Sequence, residues 1–306
     1  MTLSIGILGT GRVGTSIAIS LLQGGVANSL LLSDLRADVA EGEAMDLAQG
    51  AAFYPTASIR SVPFDELLTT DALVLSAGRN GKPSESRLDL LRDNARVMSD
   101  IGDRLRGYRG LVVVVSNPVD VLTQIVRERS DLPAARVIGT GTMLDTARLR
   151  QAIGEELRVD PRSVHAQVVG EHGDSEVVLW STAQIGGLAL REWSGWRRER
   201  EGKIAEHVRR AGYEIIQRKG ATNHAIGLVT ASLLRSMLRN ERCVQTVSRV
   251  QDSASGFDGV ALSLPTILDV GGAVAVVPTA FAPAERAALE RSADVLRSAR
   301  QSVNAN

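Results

Sequence analysis

The stretch Leu3-Ser4-Ile5-Gly6-Ile7-Leu8-Gly9-Thr10-Gly11-Arg12-Val13-Gly14 carries the strongest structural signal in the chain. Leu3 to Leu8 reads as a buried strand, the glycines as a tight turn, and the residues from Arg12 through Leu22 as an apolar-periodic helix. A second apolar run, Leu30-Leu31-Leu32-Ser33, ends at Asp34, 20 residues after Gly14. Strand, glycine turn, helix, strand and acid, in that order, form a dinucleotide-binding fingerprint. Gly9 and Gly11 let the backbone approach a pyrophosphate held at the helix N-terminus beside Arg12 and Val13, and Gly14 lets helix and strand pack closely. Asp34 stands where a carboxylate accepts bonds from ribose hydroxyls. It repels a ribose phosphate, which favours NAD over NADP, while Arg36 works the other way.

Outward from that stretch the pattern repeats. Residues Ala37 to Ala52 read as a helix and Ala57-Ser58-Ile59 as a short strand. Ala72 to Ser76 reads as a buried strand ending in Ala77-Gly78, two further positions for cofactor contact. The polar Arg79-Asn80-Gly81-Lys82-Pro83-Ser84 reads as a loop. Leu88, Leu91, Ala95, Met98, Ile101 and Leu105 mark one buried helix face. Leu111 to Val115 is apolar throughout, as in a strand covered on both faces of a parallel sheet. Pro118 stops it and leaves Asn117 at its carboxyl end, where open α/β sheets bind ligands. Val137-Ile138-Gly139 closes the run.

Near residue 140 the pattern changes. A helix carries Asp145 and Arg148, three apart and so on one face. An intrahelical ion pair is the plain reading of that spacing. Strand-like Val177 to Trp180, an arginine-rich run from Trp193 to Arg200 expected to be solvated, and helices over Lys203–Lys219 and Asn223–Leu238 follow. Several short strands and a closing helix over Pro283–Arg300 complete the chain. The expectation is an α/β protein: a doubly wound parallel sheet in residues 1–140 that binds NAD, followed by an α+β substrate domain in residues 141–306.

The chain has 306 residues, 44% hydrophobic and 23% charged, enough for a large core and two domains. Lys+Arg and Asp+Glu number 35 each, so charge gives no reason to expect nucleic acid or a membrane surface as partner. The single cysteine, Cys243, excludes an internal disulfide and fits a reducing compartment. The start of the chain shows no signal-peptide pattern and no run long enough to cross a bilayer, so a cytoplasmic protein is expected. No metal site is expected.

Of the four histidines, His172 lies in Gly170-Glu171-His172-Gly173-Asp174, after the apolar His165-Ala166-Gln167-Val168-Val169. The flanking glycines place its imidazole on a sharp loop at the end of a buried strand. Histidine is the side chain whose ordinary pKa lies near neutrality, so it can give or take a proton there. A structural histidine at a strand end is the competing reading.

Taken together, these residues resemble the L-lactate/malate dehydrogenase family, closer to the bacterial L-lactate dehydrogenases. The likeness covers nearly the whole chain. It rests on Gly9, Gly11, Gly14 and Asp34, on Ser84-Glu85-Ser86-Arg87-Leu88-Asp89-Leu90 and on Ser116-Asn117-Pro118-Val119-Asp120. It rests also on Leu144-Asp145-Thr146-Ala147-Arg148, on the His172 stretch and on Lys219-Gly220-Ala221-Thr222. The resemblance implies a homotetramer or homodimer that moves a hydride between NADH and a 2-oxo acid. His172 would give the carbonyl oxygen its proton, Asp145 would fix the imidazole tautomer, and Arg148 would clamp the substrate carboxylate. Arg87 would polarise the carbonyl, Asn117 would add a hydrogen bond there, and Thr222 and Ile226 would line substrate and nicotinamide.

One position departs from the pattern. Lactate dehydrogenases place Gln, and malate dehydrogenases Arg, where this chain has Gly81. The substrate's far end then meets no cation and more room, which turns the expectation toward pyruvate or a larger 2-oxo acid and away from malate. Two further alternatives are an NAD-dependent glycosidase and an NAD-binding protein without catalysis. The first would need a cysteine-containing metal site near Ser116, whereas Cys243 is far along the chain; the second is opposed by the complete set His172, Asp145, Arg148 and Arg87. Arg150 and His165 match positions that, in bacterial lactate dehydrogenases, resemble an allosteric sugar-bisphosphate site shared between subunits.

Overall fold

The computed structural model describes residues 3–79 and 87–304, with only the backbone of Arg87, Leu88 and Asn304. Gly81 and the side chain of Arg87 therefore lie outside the described residues. The chain begins β1 (Ser4–Leu8), α1 (Arg12–Gln23), β2 (Ser29–Ser33), α2 (Ala37–Gln49), β3 (Ser58–Ser61), α3 (Phe64–Leu67) and β4 (Ala72–Leu75). It continues with α4 (Arg87–Arg104), β5 (Leu111–Val114), α5 (Val119–Ser130), β6 (Val137–Gly139) and α6 (Met143–Leu157). Five two-residue strands follow: β7 (Val164–His165), β8 (Val168–Val169), β9 (Val177–Val178), β10 (Gln184–Ile185) and β11 (Leu188–Ala189). Then come α7 (Glu201–Lys219), α8 (His224–Leu238), β12 (Val244–Val250), β13 (Ala261–Asp269), β14 (Gly272–Val276) and α9 (Pro283–Asn304).

Among the described residues the main sheet has the order β14-β13-β12-β6-β5-β4-β1-β2-β3. Strands β1 to β6 are parallel, in the doubly wound order of nucleotide-binding folds. Their residues alternate between two cores. Ile5 and Ile7 join the core with α1 and α8; Val112 and Val114 join the opposite one with α4, α5 and α9. A strand with a core on each side is apolar at every position, which is why the sequence shows runs rather than alternation. Burying one such Leu or Val contributes about 1.5–3 kcal/mol.

The strands after α8 differ from expectation. They are not short: β12 and β13 pair along seven residues, and Ser248 of β12 pairs with Gly139 of β6. The second half of the chain thus extends the sheet of the first instead of forming a wholly separate layer. The free edge of β6 offers unpaired backbone groups, and an antiparallel hairpin satisfies them. Three smaller differences are local. Helix α2 stops at Gln49 before Gly50, and a short 3-10 turn covers Ala51–Phe53. Only Val177 and Val178 of the expected strand pair, with β8. In the arginine-rich run Trp196 packs beside Trp180, centroids 5.9 Å apart, and Arg200 pairs with Glu156, while Arg197 and Arg198 are exposed as expected.

Candidate active site

At the reversal of strand order, β1 and β4 lie side by side and their carboxyl ends open together. Gly9 follows β1 with φ +97°, and a Cβ there would stand 2.6 Å from the Ala77 backbone nitrogen. A Cβ at Gly14 would overlap the carbonyl oxygen of Gly9, so α1 lies against the turn only because residue 14 is glycine. Gly11 is the opposite case: a Cβ there would meet open space. It begins α1 without any side-chain cap, leaving amide donors of the first turn toward that space. Gly78, at φ +144°, faces the Asn94 side chain.

Asp34 ends β2 and accepts hydrogen bonds from Thr10 N–H (2.7 Å), Thr10 Oγ1 (3.2 Å) and Arg36 N–H (3.1 Å). Burial alone would raise its pKa, but the Thr10 and Arg36 bonds outweigh this and hold the carboxyl below its ordinary value. It is a fixed carboxylate beside the glycine turn. Leu35, next in the chain, is fully exposed. A bare helix start, a crowded glycine turn and a fixed acid fit a dinucleotide.

Asn117 follows β5 and is exposed; its carbonyl accepts from Asn94 Nδ2 at 2.9 Å. The same Asn94 side chain donates to Arg79 O and accepts from Arg79 N–H. Buried Asn94 thus ties the loop after β4 to that after β5, a role the sequence reading missed. The signal was there: a polar residue beside Leu91, Ala95 and Met98 on a buried helix face.

His172 sits on a loop anchored at every step. Gly170 pairs antiparallel with Ser263 of β13, N–H to O at 2.9 Å and O from N–H at 3.0 Å. Its φ of +87° and a would-be Cβ 2.7 Å from Ser292 Oγ require glycine. Glu171 N–H donates to Ser292 Oγ (2.8 Å), and His172 N–H donates to Asp120 Oδ2 (2.8 Å). The imidazole Nδ1 meets Asp145 Oδ2 at 2.5 Å, and Asp145 Oδ1 accepts from Arg148 at 2.8 Å. The ion pair read from the spacing of 145 and 148 is therefore real, and the same carboxylate also serves His172.

Helix α6 is held for this purpose on either side of Asp145. Thr142 donates to Val168 O (2.6 Å), and Thr146 Oγ1 accepts from Val168 N–H (3.0 Å). Val168 belongs to β8, the strand that leads to His172. Asp145 is buried, Arg148 is 15% exposed and the His172 side chain 26%. Burial pushes the His172 pKa down, but Asp145, by charge and hydrogen bond, and Asp120 more than reverse this and lift it to about 9. Asp145 feels burial upward and His172 and Arg148 downward, and stays below the ordinary carboxylate value. With the carboxylate ionised, the 2.5 Å contact requires the proton on Nδ1.

Glu176 was not singled out in the sequence. It is buried beside this cluster, its Oε1 has no hydrogen-bond partner among the described residues, and burial lifts its pKa to about 8. Helix α7 closes the same side: Tyr213 donates to Asp174 at 3.1 Å, and Gly212 leaves a would-be Cβ 3.8 Å from the Arg148 guanidinium.

Not every expected residue joins the cluster. Thr222 is half-buried in the turn between α7 and α8, which reaches α1 through Asn223 and Ser16 (2.9 Å). Ile226 packs into the core of that face. No hydrogen bond joins Thr222 to His172 among the described residues. Arg150 donates to Ala166 O (3.1 Å), one residue from exposed His165, and burial holds its pKa below the ordinary value.

A doubly wound nucleotide half joined to a histidine and an arginine that share one buried carboxylate fits a two-part nicotinamide-nucleotide oxidoreductase. The chain belongs to the lactate/malate dehydrogenase family: residues 3–139 match the model of its NAD binding domain and residues 142–306 that of its alpha/beta C-terminal domain. It is an NAD-dependent oxidoreductase acting on a CH–OH group. An L-lactate dehydrogenase of Kosmotoga olearia is 41% identical over 99% of this chain and 97% of its own. One of Salinibacter ruber is 43% identical over 97% and 96%. The crystal structure of a minor L-lactate dehydrogenase from Enterococcus mundtii, in its ligands-bound form, superposes with a TM-score of 0.96 at 39% identity, covering 100% of this chain and 99% of that one.

Proposed function

We propose that the protein interconverts a small 2-oxo acid and its L-2-hydroxy acid, pyruvate and lactate or a larger pair, with His172 as the proton donor and acceptor. The observation that carries this is the 2.5 Å contact of His172 Nδ1 with buried Asp145, which leaves Nε2 for a substrate oxygen. With a pKa of about 9, His172 is an imidazolium at neutral pH and can protonate a carbonyl oxygen. The reverse reaction needs the neutral ring. Bound NADH supplies the hydride. Residues 1–140 would hold the cofactor: Gly9, Gly11, Arg12, Val13 and Gly14 at the pyrophosphate, Asp34 at the ribose, and Ala77, Gly78 and Asn117 toward the substrate. Residues 141–306 hold the acid. Arg148, steadied through one nitrogen by Asp145, turns the rest of its fork to the substrate carboxylate. Arg87 and Thr222 complete the substrate's surroundings.

Gly81 supplies no side chain at the position that the family resemblance puts at the substrate's far end, which favours a longer apolar side chain over a second carboxylate. The test is NADH oxidation over 2-oxo acids graded by size and charge. Acids longer than pyruvate should keep a comparable kcat/KM, oxaloacetate should be poor, and Gly81→Arg should improve it. Preference of the unaltered enzyme for oxaloacetate would overturn this reading of specificity.

The exposed apolar Ile19, Met45, Phe53 and Leu228 support a homo-oligomer, dimer or tetramer, and the lone Cys243 supports a place in the reducing cytoplasm. Arg150 beside His165 supports a phosphate site between subunits. The same assay with fructose 1,6-bisphosphate should then show activation, and the Arg150→Gln, His165→Gln double variant should lose it.

A further inference from the structure

Asp120 has no part in the chemistry above, yet it is among the most buried acids of the protein, 2% exposed. It stands in the first turn of α5, three residues after Asn117. Oδ2 accepts the His172 backbone N–H at 2.8 Å, across 52 residues of sequence. Oδ1 has no hydrogen-bond partner among the described residues; the Ser248 hydroxyl of β12 is its polar neighbour. A half-satisfied carboxylate at such depth is costly and calls for a reason.

We propose that Asp120 is a positioning residue for His172: it fixes the loop from the nucleotide-binding half while Asp145 fixes the ring from the other, and its charge supports the imidazolium. The proposal rests on His172 being the proton donor. Two carboxylates from α5 and α6 then hold one residue, backbone and ring. The imidazole is thereby set relative to both halves at once. Proton and hydride transfer to one substrate need that common frame, since small misplacements of reacting groups are expensive in rate.

The charges around the pair define the expected titration. His172 is faced by Asp145 and Arg148 from α6, by Asp120 from α5 and by Glu176 from its own loop. Asp120 is faced by His172, Glu171 and Ser248. Burial pushes the Asp120 pKa up to about 6, while His172 titrates at about 9. Asp120 is therefore ionised where His172 loses its proton, and its charge delays that loss.

Asp120→Asn keeps an acceptor for the His172 N–H and removes the charge. Asp120→Ala removes both. The measurements are kcat/KM for pyruvate reduction between pH 5 and 10, NADH affinity by fluorescence titration, and the thermal midpoint. For Asp120→Asn, the alkaline fall of kcat/KM should move to lower pH by roughly half a unit to one unit. For Asp120→Ala, kcat should fall at least about tenfold, with NADH affinity nearly kept. An Asp120→Asn profile that superimposes on the parent's overturns the proposal, and this holds whether or not the alanine variant folds. His172→Asn, run in parallel, separates the two ideas. If it keeps parental turnover, the role of His172 falls and that of Asp120 with it; if it is inactive while the Asp120→Asn profile is unmoved, only Asp120's role falls.

Discussion

The glycine turn and the histidine cluster are built in opposite ways. The turn is six consecutive residues, Gly9 to Gly14, acting through backbone amides and through the lack of side chains. The cluster gathers charged groups from three segments, Asp120, Asp145 with Arg148, and His172 with Glu176, each held by other elements. A backbone site fails when one Cβ is added and is indifferent to pH. A site of buried charges tolerates small changes of volume but fails when a charge is removed, and it answers to pH. That contrast can be tested from both ends.

The largest effect belongs to the cluster. His172→Asn should lower turnover by roughly 10²–10⁴-fold, the usual worth of a general acid, and leave NADH affinity nearly intact. Steady-state kinetics with a fluorescence titration would decide it; loss of cofactor binding in step with turnover would erase the distinction between the two sites.

Next comes the turn. In Gly14→Ala the new Cβ meets the Gly9 carbonyl, a rigid backbone atom, so α1 must move off β1. Stability should fall by about 1–3 kcal/mol, as for overpacking elsewhere, and NADH affinity should fall with it. Urea unfolding and the same titration check this. An alanine variant with parental affinity would show that the close contact is not what shapes the cofactor site.

The smallest effect sharpens the pH side. His172 is raised from 6.5 to about 9 and Glu176 from 4.5 to about 8. The folded protein thus holds protons that the unfolded chain has released. The stability these groups contribute is full below their unfolded values and is lost as pH rises through about 8 and 9. The thermal midpoint should therefore fall between pH 6.5 and 9, and Glu176→Gln, a permanent neutral, should fall less. The difference at the alkaline end should be on the order of 1 kcal/mol. Parallel curves for parent and variant would mean that Glu176 is ionised throughout.

The two sites were also unequally legible. The turn could be read because its logic is local: three glycines, a helix start and an acid 20 residues on stand in fixed sequence relation. His172, Asp145 and Arg148 could be named as candidates, but nothing local says that 145 and 172 meet. Asp120, Asn94, Thr142, Thr146 and Glu176 stayed hidden; the structure buries all five. A buried polar residue must find a partner, and that partner is usually remote in sequence.

Hydrophobic period and glycine sterics act over a few residues, so strands β1 to β6, helices α1, α2 and α4 and the nucleotide turn could be read from the chain alone, whereas α3 and α5 were not read. Only the tertiary structure decided that β12 to β14 complete the first sheet, that α6 is stitched to β8 by two threonines, and that His172 lies between two carboxylates. Those outcomes depend on which distant edges and buried charges satisfy one another, and such pairings are settled by the whole fold at once.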